Sequence, residues 1–186
     1  MKIFNSILII GEISSGKSTL ARKLSEELGI PKASFGGYLL HYCEQNNIPE
    51  DSRRDLQNLG QQMIETDPIG FLKNVIEFTT NKPVVILFEG VRHEVILKEI
   101  SSCSDRLASV YIDATYDQRL SRYLSREKKI DTNKTESDFL IASKHQVERE
   151  VPALKDKCSL VIKSTDSQDE DYQQLKSFIQ SWSGKP

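Results

Sequence analysis

The chain has 186 residues, enough for one α/β domain with a substantial core. Its 25 Lys and Arg against 27 Asp and Glu give a formal net charge of −2, which excludes the broad basic surface of a nucleic-acid binder. No apolar run approaches the roughly 18 residues of a membrane span, the N-terminus enters a strand with no signal-like segment, and Cys43, Cys103 and Cys158 are too scattered for a metal site. A reduced, cytoplasmic protein is expected.

In chain order, Ile3 to Ile10 is an apolar run of strand length, and Thr19 to Leu28 has the periodicity of an amphipathic helix stopped by Gly29. Between them stands Gly11-Glu12-Ile13-Ser14-Ser15-Gly16-Lys17-Ser18, which fits G-x-x-x-x-G-K-[ST]. Strand, glycine loop and helix form the setting in which backbone N–H groups and a helix N-terminus cradle a phosphate. In that setting the loop from Gly11 through Ser14, Ser15 and Gly16 to Thr19 binds ATP. Lys17 reaches the β- and γ-phosphates, and the Ser18 hydroxyl joins a Mg2+ site. The competing explanation is a chance match on a glycine-containing turn, and the flanking strand and helix argue against it.

Lys32 to Phe35 reads as a short second strand ending at Gly36-Gly37, followed by a helix from Tyr38 to Asn46. Asp51-Ser52 caps a helix running to about Glu65, and Asp67-Pro68 starts another to about Thr79. Lys82 to Phe88 is the clearest buried strand. A helix from His93 to Ile100 and a strand from Leu107 to Ile112 follow, then a helix from Tyr116 to Ser125 and a polar stretch through Lys134. A helix from Thr135 to about Glu150 stops before Pro152, Cys158 to Ile162 is the last strand, and Ser164 to Glu170 is acidic and polar. Tyr172 to Trp182 closes the chain as a helix within 167–183. This alternation predicts a three-layer α/β P-loop fold, a parallel five-stranded sheet with helices on both faces.

Glu89 falls at the carboxyl end of the central strand, where open α/β sheets place ligand groups; it serves the metal shell or an attacking oxygen, unless it only caps the next helix. Arg92 follows at the same rim and suits a phosphate, a solvated surface arginine being the alternative. His93 reads as structural or helix-capping. Arg119, Arg122 and Arg126 share one helical face and suit a transferring phosphoryl group, Lys128 and Lys129 extending them, although such charge runs also form solvated faces. Lys144, Glu148, Arg149 and Glu150 fit either reading. Of Arg53 and Arg54, adjacent on a helix, one faces a ligand, with Arg54 favoured.

These residues resemble the P-loop nucleoside monophosphate kinases in the broad sense, the group that includes adenylate kinase, dephospho-coenzyme A kinase and the phage-type deoxynucleoside monophosphate kinases. Besides the glycine loop, Phe88-Glu89-Gly90-Val91-Arg92 is similar to the acidic-x-Val-Arg motif of the deoxynucleotide branch, with Glu89 where that branch usually has Asp. Arg53 to Gly60 is similar to its substrate-side R-x-x-L-Q-x-L-G. The resemblance implies an acceptor-binding insertion at about 34–79, with Arg53, Arg54, Gln57 and Arg92 on the substrate. It also implies a short lid at about 126–134 and an adenine-side loop at Lys163-Ser164-Thr165. Arg122 and Ser164 then serve ATP, and Lys17, Glu89, Arg92 and Arg126 carry catalysis.

The expected activity is ATP- and Mg2+-dependent phosphoryl transfer to a small phosphorylated acceptor, a nucleoside or deoxynucleoside monophosphate, with no nucleic-acid or membrane partner. Dephospho-coenzyme A, another metabolite, or a regulatory ATP-binding module are the other readings. A GTP switch needs N-K-x-D, and Asn133-Lys134 leads instead into Thr135-Glu136.

Overall fold

The computed structural model describes residues 4–49, 53–80, 84–125 and 135–183, with the side chains of Arg53 and Ser183 also outside the description. The sequence-expected lid at 126–134, with Arg126, Lys128 and Lys129, lies outside the described residues.

Five strands, β1 (Phe4–Ile10), β2 (Lys32–Ser34), β3 (Val85–Glu89), β4 (Ser104–Asp113) and β5 (Leu160–Lys163), form one sheet in the order β2-β3-β1-β4-β5. All four pairings are parallel. Helices α1 (Lys17–Leu28), α2 (Phe35–Asn46), α3 (Arg53–Thr66), α4 (Pro68–Thr79), α5 (Glu94–Cys103), α6 (Tyr116–Leu124), α7 (Glu136–Ser143), α8 (Gln146–Arg149) and α9 (Gln168–Ser183) surround it.

The central strand β1 alternates between two cores. Leu8 and Ile10 face Phe88, Tyr111, Phe71, Val75 and Ile100, under the α2–α5 layer. Ile7 and Ile9 face Leu87, Val110 and Ile112, together with Leu20 and Leu24 of α1 and Tyr172, Leu175 and Ile179 of α9. Each such fully buried aliphatic side chain is worth about 1.5–3 kcal/mol, so both faces of β1 fix its register against the slip that would exchange them. A third cluster, Ile13, Tyr123, Phe139 and Ala142, packs α6 and α7 beneath the glycine loop.

The structure shifts several expected boundaries. β2 ends at Ser34, whose hydroxyl accepts from the Gly37 N–H at 3.1 Å; this cap draws Gly36 and Gly37 into the first turn of α2. The helix expected from Thr135 to Glu150 is broken. Thr135 and Asp138 form a capping box for α7, His145 interrupts with extended backbone, and α8 resumes for one turn. Pro152 does not terminate that helix; it occupies the first turn of a 3-10 helix, Val151–Lys157, where its missing N–H costs nothing. α9 starts before Tyr172, because Asp169, Glu170 and Asp171 suit the positive end of its dipole. Among the described residues no helix is long and apolar enough to cross a membrane.

Candidate active site

The loop between β1 and α1 is held by backbone geometry that few residues adopt. Gly11 has φ +155° and Gly16 φ +96°, and Ser14 also enters the left-handed region at +62°. A Cβ on Gly11 would lie 2.6 Å from Ser15 Oγ and 2.8 Å from the Ile112 carbonyl. Gly16 is the N-cap of α1, and no side chain caps that helix. The first-turn N–H groups of a helix have no intrahelical partner, so the loop and helix end form a cradle matched to an anion. Lys17 at its lip donates to the Glu12 carbonyl at 3.0 Å. Ser18 and Thr19 follow in the first turn, the Thr19 N–H bonded to the Gly16 carbonyl.

Glu89 stands opposite, at the end of β3. Ser18 Oγ donates to its Oε1 at 2.6 Å; Ser34 Oγ donates to Oε2 at 3.4 Å, and Lys32 Nζ lies 3.7 Å from Oε2. Burial opposes ionisation of Glu89, but Lys17, the Ser18 hydrogen bond, Lys32 and Arg92 outweigh it and hold the carboxyl below its ordinary value. A hydroxyl and a charged carboxylate converging beside a phosphate cradle are the hard oxygen donors that fit Mg2+. Among the described residues no group of three or more His, Cys, Asp or Glu converges as a metal site of its own.

From this junction a cavity of about 680 Å³ opens between the sheet end and helices α2–α4. Lys17, Ser18, Lys32, Ser34, Glu89 and Arg92 form its polar end; Phe35, Leu39, Leu56, Ile64, Phe71 and Val147 are among the apolar residues that line the remainder. Gln57, 3% exposed, reaches the wall and donates to the Ala142 carbonyl at 3.4 Å. Arg92 also reaches the cavity, with its Nε 3.2 Å from the buried carboxylate of Glu148.

Other expected cations sit differently. Arg119 is buried, not directed at a ligand: its Nη1 is 2.9 Å from Glu12 Oε1 and its guanidinium lies over the Phe139 ring. Burial pushes the Glu12 carboxyl above its ordinary value against the pull of Arg119, with Glu148 and Asp113 adding to the rise. Arg122 Nη1 donates to the Ser15 carbonyl at 2.9 Å and to Ser164 Oγ at 3.0 Å, while Nη2 donates to Ser164 Oγ at 3.0 Å and the Thr165 carbonyl at 2.9 Å. It ties the glycine loop to the turn after β5. Asp171 completes that tie, accepting from Ser164 Oγ at 2.6 Å and from the Thr165 N–H at 2.8 Å. The acidic first turn of α9 thus supplies the brace of this turn. Arg54 is exposed and does not line the cavity.

His93 precedes α5 and also lines the cavity; its Nδ1 is 3.2 Å from Glu150 Oε1, while Glu150 Oε2 accepts from the Glu94 N–H. Lys32, Ser34 and Asp171 were missed, and Glu148 was left open between a site and a solvated face. The alternation Lys32-x-Ser34 carried a signal, since Ser34 pairs with Glu89 across β2 and β3 and residues two apart share a face. Glu148 could not be decided from the sequence, because its burial depends on the break before α8.

A glycine loop after the central strand of a 2-3-1-4-5 parallel sheet, facing a carboxylate on the neighbouring strand, defines a P-loop α/β protein. Residues 7–140 match the AAA domain family model AAA_18, and the chain belongs to that family. The shikimate kinase of Acinetobacter baumannii, solved with shikimate, is 17% identical with a TM-score of 0.64, covering 98% of this chain and 96% of its own. The gluconokinase of Sinorhizobium meliloti 1021 is 12% identical with a TM-score of 0.60, again covering 98% and 96%. The shikimate kinase of Bacteroides thetaiotaomicron is 15% identical with a TM-score of 0.59, covering 95% of this chain and 98% of its own. At these identities the likeness is one of fold. No curated protein sequence matches the chain.

Proposed function

We propose that the protein is a cytoplasmic, single-domain phosphotransferase that moves the γ-phosphoryl group of ATP, with Mg2+, to a nucleoside or deoxynucleoside monophosphate. The observation that carries this reading is the junction at Glu89: one carboxylate bonds the P-loop Ser18 hydroxyl and also lines the polar end of the cavity. Donor cradle and acceptor cavity therefore meet at one point, which is what direct transfer between two bound molecules requires.

The loop from Gly11 to Thr19 and Lys17 would hold the β- and γ-phosphates, and Ser18 with Glu89 the Mg2+, which supplies charge neutralisation of the transferring group. A general base works best with a pKa near the operating pH, so a carboxyl held low supports Glu89 as a fixed anion in the metal shell in preference to a proton acceptor. Arg92 serves the acceptor anion, Gln57 its body, and Arg122 with Ser164 the position of the donor loop. Arg53 and Arg126 keep the acceptor and lid roles that the resemblance implies, whereas the exposed Arg54, outside the cavity lining, is not assigned to the acceptor.

The wall of Phe35, Leu39, Leu56, Ile64 and Phe71 favours a flat ring over a polyhydroxylated acid, because hydroxyls against such a surface would lose their hydrogen bonds to water. Coupled ADP release with ATP and Mg2+ is the test, run against ribo- and deoxynucleoside monophosphates, dephospho-coenzyme A, shikimate and gluconate. Stimulation by a nucleoside monophosphate, lost in Lys17→Ala while the fold persists, is expected. Stimulation by a polyol acid alone refutes the acceptor, and ATP binding without any acceptor-dependent turnover refutes the kinase.

A further inference from the structure

The charge nearest the acceptor end of the cavity is held in an unusual way. Glu148 is on α8 with its side chain only 2% exposed, and its Oε1 stands 3.2 Å from Arg92 Nε. That Nε is itself buried, yet the Arg92 side chain keeps 23% of its surface exposed and lines the cavity. The exposed surface therefore belongs to other parts of Arg92; Nε and Oε1 stand at ion-pair distance with no hydrogen bond between them, so the attraction at this inner edge is one of charge. An arginine drawn by a buried carboxylate on its Nε side keeps its two outer nitrogens for the fork that fits a phosphate or carboxylate.

The arrangement is costly for a purely structural contact. Glu148 lies within electrostatic reach of a second carboxylate, Glu12, which is balanced by the buried Arg119. An amide at position 148 would fill the same space with neither the desolvation of a charge nor the repulsion. An amide would not fix a cation in one orientation by charge. α8 is also pinned on the acceptor side: His145, its N-cap, has Nε2 3.0 Å from Asn58 Oδ1 on α3, and Val147 lines the cavity.

We propose that Glu148 is a positioning residue, whose buried charge draws Arg92 from the Nε side so that its outer edge meets the anionic group of the acceptor. This rests on the phosphotransferase reading, which supplies the anion for Arg92.

The probe is inorganic phosphate, read by the Nε–Hε NMR resonance of Arg92 in the full chain while a non-hydrolysable ATP analogue occupies the donor loop. In the wild type this resonance is expected to shift saturably with phosphate. Glu148→Gln should weaken that response on the order of tenfold or more, as small misplacements of a positioning group do. The ATP-analogue affinity should change by less than about twofold, as for separate sites. Glu148→Asp, which keeps the charge but shortens its reach, should fall between, and carries the comparison if the Gln variant does not fold.

Lower thermal stability with unchanged phosphate affinity would reduce Glu148 to a structural role. Tighter phosphate binding in Glu148→Gln would mean that it holds Arg92 away. Either result overturns the inference, as does a wild-type Arg92 resonance indifferent to phosphate. Failure of the ADP-release panel is a separate outcome, so loss of the kinase reading and loss of this inference are distinguishable.

Discussion

Replacing Arg122 with Met removes a fork that joins two loops while leaving its aliphatic stem. The guanidinium serves three acceptors, the Ser15 carbonyl, Ser164 Oγ and the Thr165 carbonyl, through contacts of 2.9–3.0 Å. At about 1 kcal/mol for each acceptor, discounted because the side chain is only half-buried, the substitution costs about 3 kcal/mol. For a chain of this size that lowers Tm by about 6–12 °C. The two loops are the phosphate cradle and the turn after β5, so ATP affinity should fall with stability. Scanning calorimetry with and without ATP reads both, since ligand stabilisation grows with the logarithm of ligand concentration over Kd. Arg122→Lys, a point charge that cannot fork to three acceptors, should recover less than half of the loss. A Tm drop below about 2 °C with unchanged ATP affinity would refute the bracing role.

Glu89→Gln should retain ATP binding and lose on the order of a hundredfold or more in turnover, measured by ADP release. Its folded pKa is lowered, so its charge is present above the ordinary carboxylate value and is lost only as pH falls through the lower one. The wild-type pH profile should accordingly show no Glu89-dependent step between about pH 5 and 8; a step there that vanishes in Glu89→Gln would contradict this. Gly11→Ala should destabilise by several kcal/mol and abolish ATP binding, because the new methyl meets a backbone carbonyl, whereas Gly29→Ala, with φ +63° and open space, should cost only about 1–2 kcal/mol in urea denaturation. Burial pushes the Cys158 thiol up to about 11, so at pH 8 about one molecule in a thousand carries the thiolate, and mass spectrometry should find it alkylated far more slowly than a free thiol.

The strands were legible because a buried parallel strand is apolar on both faces, as in Ile7 to Ile10, and the glycine loop because its chemistry is local. Glu89 could be placed for the same reason, at the end of such a run. The arginines were not placeable in this way. Arg119 and Arg122 share a helical face, yet one is sunk against Glu12 and the other bridges the Ser15 and Thr165 carbonyls, outcomes set by residues about 45 to over 100 positions away. Glu148 was hidden by the break at His145, since an unbroken helix would have carried it elsewhere. Long-range pairing of charges leaves no periodic trace, whereas burial of apolar side chains does.

The segment from Phe35 to Thr79 leaves the carboxyl end of β2 and the chain returns in β3, the strand beside it in the sheet. Most of the cavity's apolar wall is therefore written in one continuous stretch of chain, inserted between two strands that pair directly with each other. For heredity this makes the wall a cassette. A single recombination across it can alter the small molecule admitted while the glycine loop, α1 and the β1–β3 register stay as they are. A sheet of this order can in that way outlast many changes of the wall beside it, with its sequence drifting far and its strand order intact.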